Sequence, residues 1–297
     1  MLKQDKILLI NDRDYMLDLC IRMAHHSTAI EGNTLSQDET ASILLNGFIS
    51  TQMNEREFYE VRNYKDLMPV FIDSLKENKR LDSTLIKEFH SIIMKDLLYN
   101  KGEFKTIQNV IVGSSLETAK PYLVPTKIKD LSDNLYFKFD KAANDDDKLQ
   151  AILEAHIEFE KIHPFSDGNG RMGRFLIIYS CLEQNLAPIV IPKEQKGRYI
   201  NILRTNDIKD FLEFGKEIQS AENERCEKFI ENSLLQNFSK KLRYFIDKQS
   251  VFLPQAKQRY IDELLKDYNK ITKRGLKIDE KSLQLIETIQ KEYSKTR

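Results

Sequence analysis

The residues from His163 to Arg174 have the types and the spacing of a site that handles phosphate. Pro164 breaks the incoming helix, so His163 is predicted to stand at a turn. The glycine-containing turn 167–170 leads into the next helix, and free N–H groups at a helix N-terminus bind anions. Arg171 and Arg174 share a face of the first turn, where the helix dipole disfavours cations. A polyphosphate between these arginines and the backbone amides would offset that cost.

Asp167 and His163 complete the chemistry that this turn predicts. Asp167 offers a hard carboxylate oxygen for Mg²⁺ beside a phosphate. His163 is suited to act as a general base at neutral pH, since the unperturbed pKa of histidine is about 6.5. The glycines at 168, 170 and 173 also match G-x-G-x-x-G, which indicates dinucleotide binding only after a strand. The preceding residues have helical periodicity, so we reject that interpretation.

Helical periodicity dominates the rest of the chain, which has 10 glycines and 7 prolines in 297 residues. The run 175–182 is apolar on all sides, which predicts a buried central helix that begins at or just after Asn169. The segment 221–297 is charged, with breaks near Pro254 and Gly275. It is predicted to be a helical extension that serves packing, self-association or partner recognition. Further helices are predicted over 12–31, 36–45, 54–76, 82–98, 126–139 and the residues before His163.

One stretch, 103–125, departs from the helical pattern. The β-branched run 110–112 is followed by Gly113-Ser114-Ser115 and by two prolines, which predicts a short hairpin or extended flap. We therefore predict an all-α fold: a helical bundle with one small β-hairpin and a C-terminal helical extension.

Composition excludes several classes of function. Lys plus Arg and Asp plus Glu are equal at 46 each, so no global field draws the chain to nucleic acid or to a membrane. Cys20, Cys181 and Cys226 have no zinc-ligand spacing and are expected to be reduced, structural thiols. Neither a signal peptide nor a membrane-spanning run is apparent, and the protein is expected to be soluble and cytoplasmic.

The stretch 163–174 resembles the Fic signature His-Pro-Phe-x-Asp-Gly-Asn-Gly-Arg-x-x-Arg at every specified position, and a weaker resemblance covers roughly 82–220. The related Doc kinases differ at the two loop glycines, which favours AMP transfer. The resemblance implies an enzyme, a protein adenylyltransferase that transfers AMP from ATP to a Ser, Thr or Tyr hydroxyl of a protein. ATP is its co-substrate and Mg²⁺ its cofactor.

The resemblance also assigns roles to individual residues. His163 would deprotonate the target hydroxyl, Asp167 would hold Mg²⁺, and Phe165 would anchor the loop. The stretch 102–125 would be the flap that clamps the target protein by strand addition. The family often has Arg where Lys105 stands, so no role is assigned there. Contacts to ATP would come from Gly168, Asn169, Gly170, Arg171, Arg174, Val112, Gly113, Ser114, Ser115, Tyr199 and Asn206, although Tyr199 equally suits a core position.

Residues 27–33 resemble the family's inhibitory motif, Ser/Thr-x-x-x-Glu-Gly/Asn. Glu31 is predicted in the last helical turn, where the dipole disfavours an anion unless a cation such as Arg174 is its partner. Ser27, four residues earlier, is expected to hydrogen-bond the Glu31 carboxylate. This pairing would deny Arg174 to the γ-phosphate of ATP and inhibit the enzyme. The resemblance equally implies a second role, in which the same glutamate positions water for removing AMP, as in some family members.

The predicted organisation has three parts: an N-terminal region, 1–81, a catalytic core, 82–220, and the extension, 221–297. Self-AMPylation and a homo-oligomer are compatible with the resemblance. Two other functions stay open: removal of AMP or transfer of another phosphate-linked group, and a non-catalytic ATP-sensing interaction module. His90 and His156 lie on apolar stripes and are expected to be hydrogen-bonded core residues. A metal site at His25, His26 and Glu31 is rejected, because no third ligand has useful spacing.

Overall fold

The computed structural model describes residues 6–48, 52–110 and 117–294, and these are predominantly helical. The predicted all-α class is confirmed. Among these residues, no helix is both long and apolar enough to cross a membrane. The helices in chain order are α1 (Lys6–Asn11), α2 (Arg13–Ile30), α3 (Gln37–Asn46), α4 (Glu55–Lys76), α5 (Ser83–Ile93), α6 (Val124–Lys141), α7 (Asp145–Ile162), α8 (Asn169–Glu183), α9 (Lys196–Thr205), α10 (Ile208–Lys248), α11 (Pro254–Lys273) and α12 (Glu280–Ser294).

Helix α2 begins and ends where local chemistry predicts. The Asp12 side chain caps its start by accepting from the backbone N–H of Tyr15 at 2.9 Å. Glu31 is the C-cap residue, and Gly32 follows with φ +107°, a left-handed conformation that glycine adopts without strain. Both ends fall within one residue of the predicted range, and Glu31 is placed at the C-terminal end of the helix.

Two predicted boundaries are wrong. Helix α5 ends at Ile93 and not at residue 98, and Asp96 in the following turn has a left-handed φ of +60°. Helix α6 begins at Val124 and not at residue 126, because Pro125 occupies its first turn, where a missing N–H costs no hydrogen bond. A short 3₁₀ helix over Pro121–Leu123 precedes it, so the extended segment ends earlier than predicted.

The flap is only partly described. Val110 and Glu117 form an isolated antiparallel bridge, which is the pairing expected at the base of a hairpin. The described residues contain no longer strand ladder. The predicted nucleotide contacts at Val112, Gly113, Ser114 and Ser115 lie outside the described residues.

Helix α8 is the central helix, as its apolar sequence predicts. Its residues are almost all buried from Asn169 to Leu182, and it packs against α2, α4, α5 and α7. Phe175 meets Phe71 of α4 and Phe89 of α5 edge-to-face, with ring centroids 5.2 and 4.9 Å apart. Such aromatic contacts add to the burial of the rings. The head of α8 is thereby fixed to the helices that surround it.

Helix α2 is tied to α10 by a buried ion pair. Arg22 donates from both terminal nitrogens to the two carboxylate oxygens of Glu222, at 2.8 and 2.9 Å. Its Nε donates to Asp18 at 2.8 Å, and the hydroxyl of Tyr15 donates to Glu222 at 3.3 Å. The guanidinium is therefore matched by acceptors on two helices, which a buried charge requires.

The chain divides into two compact units, Met1–Glu224 and Arg225–Arg297. The second unit has its own apolar interior, in which Phe238, Leu264, Ile271 and Ile286 are fully buried. All three cysteines are buried, in keeping with the prediction of structural thiols.

Candidate active site

The corner between α7 and α8 presents His163. Helix α7 ends at Ile162, and His163 is its C-cap residue in a left-handed conformation with φ +49°. Phe165 is fully buried and stacks on the ring of His90 at a centroid distance of 3.6 Å. The predicted anchoring of the loop by Phe165 is therefore present in the structure.

His90 has a role that the sequence did not reveal. The backbone N–H of Gly102 donates to its Nδ1 at 2.9 Å, so Nε2 carries the proton and donates to the carbonyl oxygen of Asp167 at 2.9 Å. His90 is a hydrogen-bonded core histidine, as predicted, and it also fixes the position of the loop. Its place on an apolar stripe gave no sign of this partner.

The head of α8 is open to an anion. Gly168, with φ +78°, is the N-cap residue and supplies no capping side chain, so the N–H groups of the first turn are not satisfied by one. The side chain of Asn169 is already engaged with the loop: it accepts from the N–H of Phe165 and donates to its carbonyl, both at 2.8 Å. A Cβ at position 170 would collide with the carboxylate of Glu31. A carboxylate therefore lies against this helix head.

The predicted contact between Glu31 and Arg174 is present. Arg174, whose side chain is 6% exposed, donates from Nη2 to a Glu31 carboxylate oxygen at 2.6 Å. Burial alone would raise the pKa of Glu31, but the charge of Arg174 and its hydrogen bond lower it overall. Glu31 is thus held as a carboxylate in the position where a phosphate would meet the arginine.

The predicted hydrogen bond from Ser27 to Glu31 is wrong. Ser27 instead accepts from Arg174 twice, at its hydroxyl from Nε (3.0 Å) and at its carbonyl from Nη2 (2.9 Å). The reason is electrostatic, since a buried guanidinium needs more acceptors than one carboxylate oxygen supplies. Ser27 therefore holds the arginine and not the glutamate.

Asp167 and Arg171 form part of an unpredicted charge ring, a name used here for these two residues with Arg56 and Glu60 of α4. Arg56 donates to the Asp167 carboxylate at 2.9 Å and to Glu60 at 3.1 Å. Glu60 lies 3.5 Å from Nη1 of Arg171, whose side chain is 2% exposed. Asn33 donates to the other oxygen of Glu60 at 3.1 Å. The i, i+4 spacing of Arg56 and Glu60 was visible in the sequence, but their partners were not.

The imidazole of His163 is 17% exposed at the edge of this site. Its Nδ1 is buried, has no hydrogen-bond partner among the described residues, and lies 4.0 Å from the Glu160 carboxylate. Burial lowers the pKa of His163 to about 4, and the nearby charge of Lys105 adds to this effect. The ring is therefore neutral at pH 7 and is able to accept a proton.

The structure does not support the predicted contact between Tyr199 and a nucleotide. It supports the alternative, in which Tyr199 is a core residue. Tyr199 is 1% exposed, and its hydroxyl lies 2.9 Å from Nε2 of His156, which is itself buried. Asn206 is exposed and is the left-handed C-cap residue of α9. It lines a cavity of about 650 Å³ between α6, α7 and Ile208. Helical periodicity predicted that Tyr199 lies on a helix. It did not show that Tyr199 lies on the buried face of that helix.

The comparisons with known proteins agree with this geometry. A family model described as Fic/DOC family matches residues 80–181. The curated protein adenylyltransferase fic-1 of Caenorhabditis elegans is 27% identical over 221 residues, which cover 73% of this chain and 42% of the relative. The protein adenylyltransferase Fic of Aedes aegypti is 28% identical over 231 residues, covering 71% of this chain and 44% of the relative. The chain thus spans less than half of the length of these relatives.

Two solved structures share the fold. A Fic-domain-containing signaling protein from Bacteroides thetaiotaomicron has a TM-score of 0.64 at 23% identity, over 77% of this chain and 91% of that one. Fic-1 from C. elegans, residues 134–508, has a TM-score of 0.61 at 24% identity, over 76% of this chain and 66% of that one. The region 80–181 that the Fic/DOC family model matches contains His163, the loop and the head of α8.

Proposed function

We propose that this chain is a protein adenylyltransferase, which transfers AMP from ATP to a Ser, Thr or Tyr hydroxyl of a protein and which Glu31 inhibits. The observation that carries the proposal is the anion position at the head of α8. There a carboxylate lies against Gly170 and pairs with buried Arg174, at the helix that follows His163. The names of the curated relatives support the same activity.

His163 provides the base for this reaction. Neutral at pH 7, its imidazole takes the proton of the target hydroxyl, whose oxygen then attacks the α-phosphorus of ATP. The new oxygen–phosphorus bond forms as the bond from the α-phosphorus to the bridging oxygen breaks, and pyrophosphate leaves. The buried left-handed turn fixes where the imidazole stands. Positioning of this kind supplies much of the rate in reactions that need little covalent chemistry from the protein.

The phosphates would be held by backbone and arginine donors. Uncapped N–H groups at the head of α8 suit the α- and β-phosphates, and the dipole of the helix favours their charge. Arg171 has buried Nε and Nη1 groups that make no hydrogen bond among the described residues, and Nη1 lies 3.5 Å from the Glu60 carboxylate. Such donors fit the β-phosphate. Arg174 would orient the γ-phosphate once Glu31 has moved away.

Asp167 fits a magnesium ion held together with the nucleotide. The described residues contain no group of three or more His, Cys, Asp or Glu side chains able to hold a metal. Mg²⁺ often binds through one or two carboxylates plus substrate phosphates, so a single carboxylate is sufficient. The Asp167 side chain is 46% exposed and is already engaged by a cation, Arg56. When bound together with ATP, Mg²⁺ would neutralise charge on the phosphates, and Asp167 would hold it.

We extend the proposal to the organisation of the chain. The N-terminal region, 1–81, carries the inhibitory glutamate and the α4 half of the charge ring, and the catalytic core, 82–220, carries the Fic motif. The target protein would lie along the flap, where Val110 and Glu117 form an antiparallel bridge. The extension, 221–297, falls largely in the second compact unit, which suits a role apart from catalysis.

The test is labelling with ATP that carries a radioactive α-phosphate. We expect Glu31→Gly to transfer label to itself or to a lysate protein, and mass spectrometry to find the mass of AMP on a hydroxyl side chain. His163→Ala in the same background should bind ATP and transfer no label. A mass other than AMP would establish transfer of another group. Label lost from a pre-labelled target in the wild type alone would establish AMP removal. Equal labelling by the His163→Ala variant would contradict the proposed base.

A further inference from the structure

The turn that carries His163 is held from outside by the flap base, a name used here for residues 105–110 and 117–119. Five consecutive carbonyl oxygens, those of residues 161–165, accept hydrogen bonds from the flap base. The donors are Ala119 N to Lys161 (3.3 Å), Lys105 Nζ to Ile162 (3.3 Å), Asn109 Nδ2 to His163 (3.4 Å), Lys105 N to Pro164 (2.8 Å) and Asn109 Nδ2 to Phe165 (2.8 Å).

Lys105 is at the centre of this arrangement. It is 3% exposed, and its ammonium group donates to Asn109 Oδ1 at 2.6 Å, Thr118 Oγ1 at 3.0 Å and the Ile162 carbonyl at 3.3 Å. All three N–H groups of a protonated lysine are therefore used. Asn109 and Thr118 belong to the two ends of the flap base, so one side chain joins both ends to helix α7.

Lys105 also contacts the carbonyl groups of the two residues that flank His163. Its Nζ binds the carbonyl of the residue before His163, and its backbone N–H binds the carbonyl of the residue after it. His163 has φ +49°, a left-handed conformation that residues other than glycine seldom adopt. Such a conformation persists when its surroundings fix it. The two hydrogen bonds of Lys105 provide that fixation.

The charge of Lys105 acts on the same imidazole. Burial lowers the pKa of Lys105 to about 8, so the side chain is mainly cationic at pH 7. Two carboxylates also face His163, Glu31 from α2 and Asp167 from the loop, and Glu160 of α7, whose pKa burial raises to about 7, lies 4.0 Å from its Nδ1. These acids favour the imidazolium, whereas burial and Lys105 favour the neutral ring. Without Lys105, burial alone would oppose the effect of these acids on the pKa of His163.

We propose that Lys105 is a positioning residue for His163, which holds the carbonyl groups of the residues before and after His163 and places a positive charge beside the imidazole that receives the proton of the target hydroxyl. This inference rests on the proposed adenylyl transfer for its consequence, but its effect on His163 is measurable without catalysis. Substitutions separate the two contributions of Lys105, the geometry that it fixes around His163 and the charge that it places beside the ring.

The first experiment is a nitrogen-15 NMR titration of the five histidines in the full chain, with His163 identified by its loss in His163→Ala. Lys105→Gln should raise the pKa of His163 by about one unit, since removal of a nearby like charge favours the imidazolium. Lys105→Arg keeps the charge and should leave that pKa where it is. Lys101→Gln, at an exposed lysine of the same segment, is the matched control and should also leave it unchanged.

The second experiment measures labelling against pH at saturating ATP in the Glu31→Gly background. In Lys105→Gln, the acidic limb of the pH–rate profile should move to higher pH by the same amount as the pKa of His163 measured by NMR. The reason is that the base is active only when it is neutral. It should lower the maximal rate about tenfold to a hundredfold, the cost of a misplaced group, while the KM for ATP stays within about twofold. Thr118→Val removes a hydrogen bond of the ammonium but no charge. It should lower the rate without shifting the limb.

The outcomes separate this proposal from the proposed function. A His163 pKa that is the same in Lys105→Gln and wild type would overturn the role of charge, and an unaltered maximal rate in Thr118→Val would overturn the role of geometry. Should Lys105→Gln fail to fold, Lys105→Arg and Thr118→Val still provide the comparison. If neither of these variants loses labelling rate, the positioning role is refuted. Absence of labelling in the Glu31→Gly parent would contradict adenylyl transfer, while the NMR titration would still decide what Lys105 does to His163.

Discussion

Replacement of Glu31 by glycine is the sharpest test of inhibition. Glu31 forms a 2.6 Å ion pair with Arg174 and lies against Gly170, so its side chain occupies both the arginine and the helix head that phosphate would use. In Glu31→Gly, the Arg174 guanidinium keeps its two contacts to Ser27 and loses its contact to the carboxylate. It is then available to bind the nucleotide. The γ-phosphate of ATP would then pair with Arg174 without displacing a carboxylate.

The size of the effect follows from the contact that ATP must replace. A hydrogen bond between charged groups contributes about 1.5–3 kcal/mol, and each 1.4 kcal/mol corresponds to about a tenfold change in equilibrium. The Glu31 side chain is 41% exposed, so water screens the pair and the lower end of that range applies. We therefore expect labelling from α-labelled ATP to rise at least about tenfold in the variant.

The matched control is Glu77→Gly. Glu77 is the C-cap residue of α4 with φ −81° and ψ −3°, nearly the same backbone conformation as Glu31 at the end of α2, with φ −83° and ψ −3°. Its partner, Lys79, is at the surface. Both substitutions thus place glycine at the same kind of helix end, but only one frees Arg174. Labelling that is equal in Glu31→Gly, Glu77→Gly and the wild type would refute the reasoning.

Thermal unfolding provides a second measurement on the same pair of variants. Removal of Glu31 leaves Arg174 buried with fewer partners, which should lower the unfolding midpoint by a few degrees, at about 2–4 °C per kcal/mol for a large domain. ATP binds the folded state and should raise that midpoint more in Glu31→Gly than in the wild type. The Glu77→Gly control should respond to ATP as the wild type does.

Three further predictions concern stability. Arg22→Met leaves the Glu222 carboxylate buried without its cation and should cost about 3–5 kcal/mol in urea unfolding, whereas Arg22→Met with Glu222→Leu should recover most of the loss. The pKa of Glu31 lies below its usual 4.5, so the Glu31 ion pair should stabilise the fold fully above pH 4.5 and lose its effect as pH falls through the lowered pKa. The measurement is the difference in unfolding free energy between wild type and Glu31→Gln, followed from pH 7 downward. His90→Phe keeps an aromatic ring but leaves the Asp167 carbonyl without its donor, which should cost about 1–3 kcal/mol in urea unfolding.

Local chemistry made much of this fold predictable. The start of α8 at Asn169 follows from a glycine-containing turn and an apolar run, and the end of α2 follows from Gly32. These features depend on residues within one or two turns of each other. The end of α5 was less predictable, because the apolar pattern continues into a turn whose stop is the left-handed Asp96.

The site was predictable only along the motif itself. The pairing of Glu31 with Arg174 follows from the resemblance of residues 27–33 to the inhibitory motif, and a helix end that disfavours an anion supports it. Arg56 and Lys105 were not inferred, since their partners are 111 and 57 residues away along the chain. Tyr199 shows the same limit, because periodicity gives the helix but not which long-range neighbour covers the ring.

The charges at the head of α8 are paired by residues of the protein itself. Two guanidinium groups, Arg171 and Arg174, are buried there, and a buried charge is costly unless it is paired. The N-terminal helices supply the missing anions, Glu60 for Arg171 and Glu31 for Arg174, and Arg56 supplies a cation to Asp167. Each of these contacts matches a group that ATP with its metal would also satisfy. Under the proposed function, stability of this site and inhibition by Glu31 would therefore have one physical cause, so a substitution that relieves inhibition should also make the folded state depend on ATP.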